Sequence, residues 1–296
     1  MSAQGTIGIA GLGLMGRAFA GRLVQAGHRV LACDVRSVEA PAGVELQVGL
    51  ADLAAQCDAI LLSVFDTAQV EYVLFGPEGL AAAGLRAPIL CTSTCDPDEI
   101  AGIAERCAKQ GIEFLELPFS GTSQQVARGD GVGLVGGDER LAQRLAPVLD
   151  VLCPRRQYVG RCGDAGRAKL AVNLVLGLHR AALAEGLNFG RRIGLDPARL
   201  LQILQGSAAA SSVMPVKGPL MVQRRYDAPQ SRVDQSLKDF GLIRALGRRA
   251  GQPLPLAEVY VQLLESCLAR GEGEQDNAII HEAIARIGSD ARGERA

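Results

Sequence analysis

A chain of 296 residues, 48% apolar and with a formal charge of −1, is long enough for two domains and apolar enough for sizeable cores. The near-balanced charge leaves no basic footprint for nucleic acid or an anionic membrane, and the composition is not that of a disordered chain. The eight cysteines (Cys33, Cys57, Cys91, Cys95, Cys107, Cys153, Cys162 and Cys267) form no CxxC pair, and His28, His179 and His281 share no ligand spacing with them, so no metal site is expected.

In chain order, Met1-Ser2-Ala3-Gln4-Gly5 runs straight into the apolar segment 6–10 without a basic and then apolar leader. A cytoplasmic protein with reduced thiols used as small packing groups is therefore expected. Short apolar runs at 6–10, 29–33, 59–64, 89–92 and 113–117 alternate with amphipathic stretches such as 17–26 and 98–110. A strand-like pair at 133–135 and 157–159 brackets a helix expected over 138–149. Such alternation predicts a parallel, doubly wound α/β sheet, a Rossmann-type domain over 1–162. From 163 to 296 the strand signal disappears, predicting an all-helical domain for substrate binding and dimerisation. Its first helix, 165–192, is almost wholly apolar. Asn173, His179, Arg180 and Glu185 argue against a membrane span, so a buried helix joining the two domains is expected. Further helices are predicted over 197–205, 234–249, 255–270 and 276–287, with Pro215, Gly218-Pro219 and Gly251-Gln252-Pro253 as punctuation. These helices carry more apolar surface than one layer hides, which predicts a homodimer or homotetramer.

The turn Gly11-Leu12-Gly13-Leu14-Met15-Gly16 follows a strand and precedes a helix. There Gly11 permits the tight turn, Gly13 lets backbone approach a pyrophosphate, and Gly16 allows close helix–strand packing; the helix N-terminus then faces the phosphates. Asp34 ends the next strand at the distance where an acid accepts from the adenosine ribose and repels a 2′-phosphate, which favours NAD. Arg36-Ser37 just beyond leaves NADP open, since Arg36 is either a phosphate ligand or a solvated loop charge. Lysine is scarce (Lys109, Lys169, Lys217 and Lys238), so its positions carry information. Lys169 and Asn173 lie four apart and share a helix face, after Gly160, Gly163 and Gly166. An ammonium in so apolar a helix must be paired or able to give up its proton, which suits a general acid/base. A lysine whose stem covers the helix while its tip reaches water fits the spacing equally well.

Together these blocks resemble the β-hydroxyacid dehydrogenases, the family of 3-hydroxyisobutyrate dehydrogenase, tartronate semialdehyde reductase and, more distantly, 6-phosphogluconate dehydrogenase. The resemblance runs through the glycine turn, the segment from Glu116 through Ser120-Gly121-Thr122, the block from Gly163 to Asn173, and Leu237-Lys238-Asp239-Phe240 with Pro253-Leu254-Pro255-Leu256. It implies an NAD(P)-dependent hydride transfer to or from a small β-hydroxy acid, without a metal. Lys169 would be the acid/base and Asn173 would orient it and the substrate. Ser120, Gly121 and Thr122 would hold the substrate carboxylate; Lys238 would close over the site and Asp239 would support it. Val35, Ser63, Val64, Phe65, Thr94 and Lys238 would join Gly11–Gly16, Asp34 and Arg36 against the cofactor. Thr122 and Gln124-Gln125 depart from the family's small residues, and Thr122 is expected to narrow or re-polarise the substrate pocket. Ala165 replaces a glycine of the Gly163–Asn173 block, with Gly166 beside it. Cys91 and Cys95 are read as packing residues, and Arg128 as a loop charge or a contact for a second acidic group. An imine reductase or a non-catalytic nucleotide-binding protein shares such a fold, but such relatives usually lack the lysine.

Overall fold

The computed structural model describes residues 4–293, with helix side chains described up to Ile287. Two compact units divide it, Met1–Lys169 and Leu170–Ala296. In the first unit the elements run β1 (Thr6–Ala10), α1 (Leu14–Gln25), β2 (Arg29–Cys33), β3 (Val44–Leu46), α2 (Leu50–Gln56), β4 (Ala59–Leu62), α3 (Thr67–Phe75), β5 (Ile89–Cys91) and α4 (Pro97–Lys109). They continue with β6 (Phe114–Glu116), β7 (Phe119–Ser120), α5 (Ser123–Ala127), β8 (Val132–Gly137), α6 (Glu139–Arg144), α7 (Ala146–Leu152) and β9 (Arg155–Gly160).

One sheet carries the strands in the order β3-β2-β1-β4-β5-β6-β8-β7, with β9 paired to β8. From β3 to β6 every pairing is parallel. β8 then runs antiparallel to β6 and β7, so the far edge of the sheet is mixed rather than parallel throughout. Residues alternate between two cores: Ala59 and Leu61 pack in one cluster with Phe19, Leu23 and Val148, while Ile60 and Leu62 pack in the other with Leu74, Ile100 and Ile103. Burial on both faces is what a doubly wound sheet needs, and it explains why these strands read as unbroken apolar runs. Aspartates cap α3, α4 and α6, each accepting backbone N–H groups of the first turn.

Some expectations are corrected. The single helix expected over 138–149 is two, α6 and α7, broken before Pro147, whose ring excludes a hydrogen bond to the preceding turn. β3, α2, α3, β7 and α5 were not legible as separate elements.

α8 (Asp164–Arg192) begins in the first unit and continues through the second. It is followed by α9 (Pro197–Gln205), α10 (Met214–Gln223), α11 (Val233–Arg249), α12 (Pro255–Ala269), a short 3₁₀ turn at Asn277–Ile279, and α13 (Ile280–Gly293). α10 forms where the prolines suggested punctuation: Pro215 sits in its first turn, where no N–H is needed, and Pro219 lies inside it. The helical core gathers Leu183, Leu187, Met214, Met221, Phe240, Tyr260 and Leu264. The Phe240 and Tyr260 rings meet with centroids 4.5 Å apart. A buried ion pair ties α10 to the 3₁₀ turn, with Lys217 Nζ 2.8 Å from both Asp276 oxygens and 3.0 Å from Ser231 Oγ.

The expectation that 165–192 is buried needs correcting too. By length and composition α8 could cross a membrane, and in this chain only 28% of its most apolar stretch is buried. Leu183, Ala184, Leu187 and Asn188 face the core, while Val175 (51% exposed), Ala182 and Phe189 (64% exposed) recur every seven residues on an uncovered stripe. Apolar content alone could not distinguish a helix covered by its own chain from one that leaves a face open.

Candidate active site

Strand order reverses at β1: the chain leaves it toward β2 and β3, then returns to place β4 on its other side. Ligands of open α/β sheets bind outside the strand ends at such a point. The glycine turn lies at the end of β1. Gly11 has φ of +99°, and a Cβ on it would sit 2.4 Å from Ser63 O; a Cβ on Gly16 would sit 2.0 Å from Gly11 O. Both glycines are therefore demanded by close backbone approach. Gly13 differs, since a Cβ there would meet no atom within 4 Å. Packing does not require that glycine, and its surroundings leave the backbone open to approach. Gly13 is also the N-cap of α1, where no side chain among the described residues caps the first turn and no acid lies within it. Those unsatisfied N–H groups and the positive end of the helix fit a pyrophosphate.

Asp34, at the end of β2, is held by protein donors. Leu12 N–H donates to Oδ2 at 2.8 Å and Arg36 N–H to Oδ1 at 2.9 Å, while the Arg36 guanidinium reaches both oxygens at 3.1 and 3.2 Å. Burial raises the Asp34 carboxyl, but the Arg36 side chain and the Arg36 and Leu12 amides outweigh it and leave it below the usual range. Val35 beside it is 97% exposed. The loop after β4 carries Ser63, Val64 and Phe65; Val64 N–H donates to Ser93 Oγ at 3.0 Å, joining it to the 92–95 loop that holds Thr94. Cys91 and Cys95, flanking that loop, are buried in the core.

Ser120 ends β7, and Gly121 has φ of +140°, a conformation that favours glycine. Thr122 is the N-cap of α5 in a reciprocal pair: its hydroxyl accepts from Gln125 N–H at 3.3 Å and Gln125 Oε1 accepts from Thr122 N–H at 2.8 Å. Thr122 and Gln125, two of the departures from the family's small residues, thus belong to one capping device. Arg128 pairs with Asp130 on the surface.

Lys169 is only 7% exposed, one helical turn before Asn173 on α8. Asn173 Nδ2 donates to Asp239 Oδ2 at 2.8 Å, and Lys238 Nζ lies 3.0 Å from Asp239 Oδ1. Asn173, Asp239 and Lys238 therefore form one connected cluster in the helical unit, although 66 residues separate the first two. The nucleotide-side residues Gly11–Gly16, Asp34, Arg36, Ser63–Phe65 and Thr94 gather separately around the ends of β1, β2, β4 and β5. Ser93, Gln125 and Glu116 stood in the sequence only as parts of family-like segments; the Ser93 contact with Val64, the Gln125 half of the α5 cap and the contact of Glu116 with Gly163 come from the structure. Among the described residues, no three His, Cys, Asp or Glu side chains group as metal ligands.

A glycine turn that fits a pyrophosphate at the switch point of this sheet, in a chain whose α8 carries a buried lysine, is the arrangement expected of a nicotinamide-dependent oxidoreductase. Comparison with known proteins gives the family. Residues 6–160 match the family model described as the NAD binding domain of 6-phosphogluconate dehydrogenase, and residues 163–284 match that described as NAD-binding of NADP-dependent 3-hydroxyisobutyrate dehydrogenase. The chain is 32% identical over 281 residues to L-threonate dehydrogenase of Cupriavidus necator, covering 93% of this chain and 94% of that protein. It is 30% identical to 2-hydroxy-3-oxopropionate reductase of Escherichia coli, covering 94% of this chain and 96% of that one. A crystal structure of 3-hydroxyisobutyrate dehydrogenase from Salmonella typhimurium is similar with a TM-score of 0.83 at 26% identity, over 95% of this chain and 99% of that chain. The chain belongs to the β-hydroxyacid dehydrogenase family. It is an NAD(P)-dependent hydroxyacid dehydrogenase.

Proposed function

We propose that the substrate is a short β-hydroxy acid, of the 3-hydroxyisobutyrate, glycerate or threonate type, interconverted with its aldehyde or ketone, and that Lys169 is the general acid/base. The observation that carries this reading is the burial of Lys169 one turn before an asparagine already engaged with Asp239 and Lys238. A nicotinamide cofactor held by the Gly11–Gly16 turn and Asp34 would supply the hydride chemistry at the carbinol carbon. Lys169 takes the hydroxyl proton as the carbonyl forms and returns it in reduction, and its charge stabilises the developing alkoxide. Asn173, held by Asp239, presents its remaining amide groups to the substrate oxygen. Ser120 and the Gly121-Thr122 backbone hold the carboxylate, with the Thr122 hydroxyl committed to the α5 cap and so supporting the loop more than recognising the acid. Lys238 and Asp239 complete the acid-binding side.

The relatives' names support this substrate class, since they act on L-threonate and 2-hydroxy-3-oxopropionate. NAD is the favoured cofactor, because Asp34 stays ionised where a 2′-phosphate would have to lie. The deciding experiment is a panel of small hydroxy acids and semialdehydes followed by nicotinamide absorbance, with NAD and NADP separately. Turnover of one or more three- or four-carbon β-hydroxy acids supports the reading; turnover confined to cyclic imines refutes it.

The protein acts as a homodimer or homotetramer in the cytoplasm. The open Val175–Ala182–Phe189 stripe supports a second copy as its cover, because a seven-residue apolar repeat is the pattern helices present to one another. A monomer by light scattering at micromolar concentration contradicts this.

A further inference from the structure

Glu116 is the last residue of β6 and is only 2% exposed, so a carboxylate lies inside the first unit. Its partners are all backbone amides at the start of α8. Gly163 N–H donates to Oε2 at 2.7 Å, and the Ala165 and Gly166 N–H groups also donate to the carboxylate. A helix leaves its first N–H groups without intrahelical partners, and an acceptor carrying full negative charge is the strongest group that can satisfy them. The cap is thus supplied by a strand lying 47 residues upstream of Gly163. Neighbouring glycines make room for it: a Cβ on Gly166 would lie 2.6 Å from Oε1, and one on Gly136 of β8 would lie 3.0 Å from Oε2. The glycine that follows Ala165 is therefore explained by the carboxylate it receives. Lys169 lies three residues beyond Gly166, within the next turn of the same helix.

We propose that Glu116 is a positioning residue for the reaction: by clamping the first turn of α8 it sets where Lys169 stands. The proposal rests on the reading of Lys169 as the acid/base. Burial pushes the Glu116 carboxyl up to about 7, against the pull of the three amides and with Asp164 adding to the rise. The other ionisable groups felt there are the thiols of Cys162, next to α8, pushed up by burial, and of Cys91 on β5, pushed up by its hydrogen bond with Cys95 and by burial. Both thiols are neutral near pH 7, so the carboxyl is the group that changes state there. Once protonated, one of its oxygens becomes a donor facing amide donors, and the clamp loses a contact.

The test compares the intact wild-type enzyme with Glu116→Gln, Glu116→Asp and Lys169→Ala. The readouts are kcat, KM, cofactor Kd and the pH profile of kcat/KM between about pH 5.5 and 9. Glu116→Gln should lower kcat by on the order of 10- to 100-fold, the scale of a misplaced catalytic group, and leave cofactor Kd within about twofold. It should also flatten the part of the fall in kcat/KM expected near pH 7 as Glu116 takes up its proton, leaving any limb that belongs to Lys169. Glu116→Asp, charged but a methylene shorter, should recover part of kcat and keep the fall near pH 7. A Glu116→Gln enzyme with wild-type kcat and pH profile overturns the proposal while an inactive Lys169→Ala keeps the acid/base reading intact. Wild-type turnover in Lys169→Ala sinks the acid/base reading, and the positioning role falls with it. If Glu116→Gln does not fold, Glu116→Asp decides, because wild-type kcat with the shortened side chain overturns the clamp.

Discussion

Asp34 offers a quantitative test of cofactor choice. A carboxylate has about four acceptor positions, and here four donors engage it, three of them from Arg36. Ribose hydroxyls can reach Asp34 only if the Arg36 side chain yields. That side chain is 60% exposed although the carboxylate it reaches is only 5% exposed; a guanidinium that returns to solvent yields at a cost of about 1 kcal/mol, which weakens NAD by about fivefold. Hydrogen bonds from ribose to a charged acceptor are worth about 1.5–3 kcal/mol, so Asp34→Ala should weaken NADH by roughly 10- to 150-fold. The same change removes the repulsion of a 2′-phosphate and frees Arg36, so NADPH should bind at least as tightly as before. Arg36→Ala should act in the opposite sense, tightening NADH slightly and weakening NADPH. Asp34→Asn serves as the control, since it keeps an acceptor for Leu12 N–H and so preserves the glycine turn. Titration by nicotinamide fluorescence measures both cofactors. NADH affinity within about twofold of wild type in Asp34→Ala would refute the assignment of Asp34 to the ribose.

A Cβ at Gly16 would lie 2.0 Å from backbone, not from a movable side chain, so Gly16→Ala should destabilise by about 1–3 kcal/mol and weaken cofactor binding, read by thermal unfolding and titration calorimetry. Because the folded Glu116 carboxyl holds its proton more tightly than the unfolded one, stability should fall as pH rises from 4.5 to about 7, by about 3 kcal/mol; urea unfolding across this window should show that slope, and Glu116→Gln should flatten it. Lys217→Met leaves Asp276 charged and buried, which should cost about 3 kcal/mol in urea unfolding, and adding Asp276→Leu should recover part of the loss.

The strands that sequence located well are those buried on both faces. In β1 and β2 the residues after Thr6 and Arg29 form uninterrupted apolar runs, and nothing polar breaks their reading. α9 was equally plain, since Asp196 and Pro197 mark its start. β7 and α5 escaped because a two-residue strand and a five-residue helix have no period to detect; Thr122 with Gln125 three residues later was the available signal for a helix start. α10 was hidden because Pro219 reads as a breaker, although the surrounding core holds the helix together around it. For the site, the glycine turn and Asp34 were legible because local backbone chemistry dictates them. The Asn173–Asp239–Lys238 cluster was not, because it joins α8 to α11 across a long separation, and only the family resemblance pointed to it. Glu116 stood in plain view inside an apolar strand. An unexplained buried acid, with glycines far downstream to accommodate it, was the signal to follow.

The central claim is that Lys169 moves the proton. Lys169→Ala, assayed on the best substrate of the panel beside a direct measurement of cofactor affinity, tests it most directly. Turnover should fall by about 10²- to 10⁴-fold while cofactor affinity stays unchanged. Turnover equal to wild type would contradict the account.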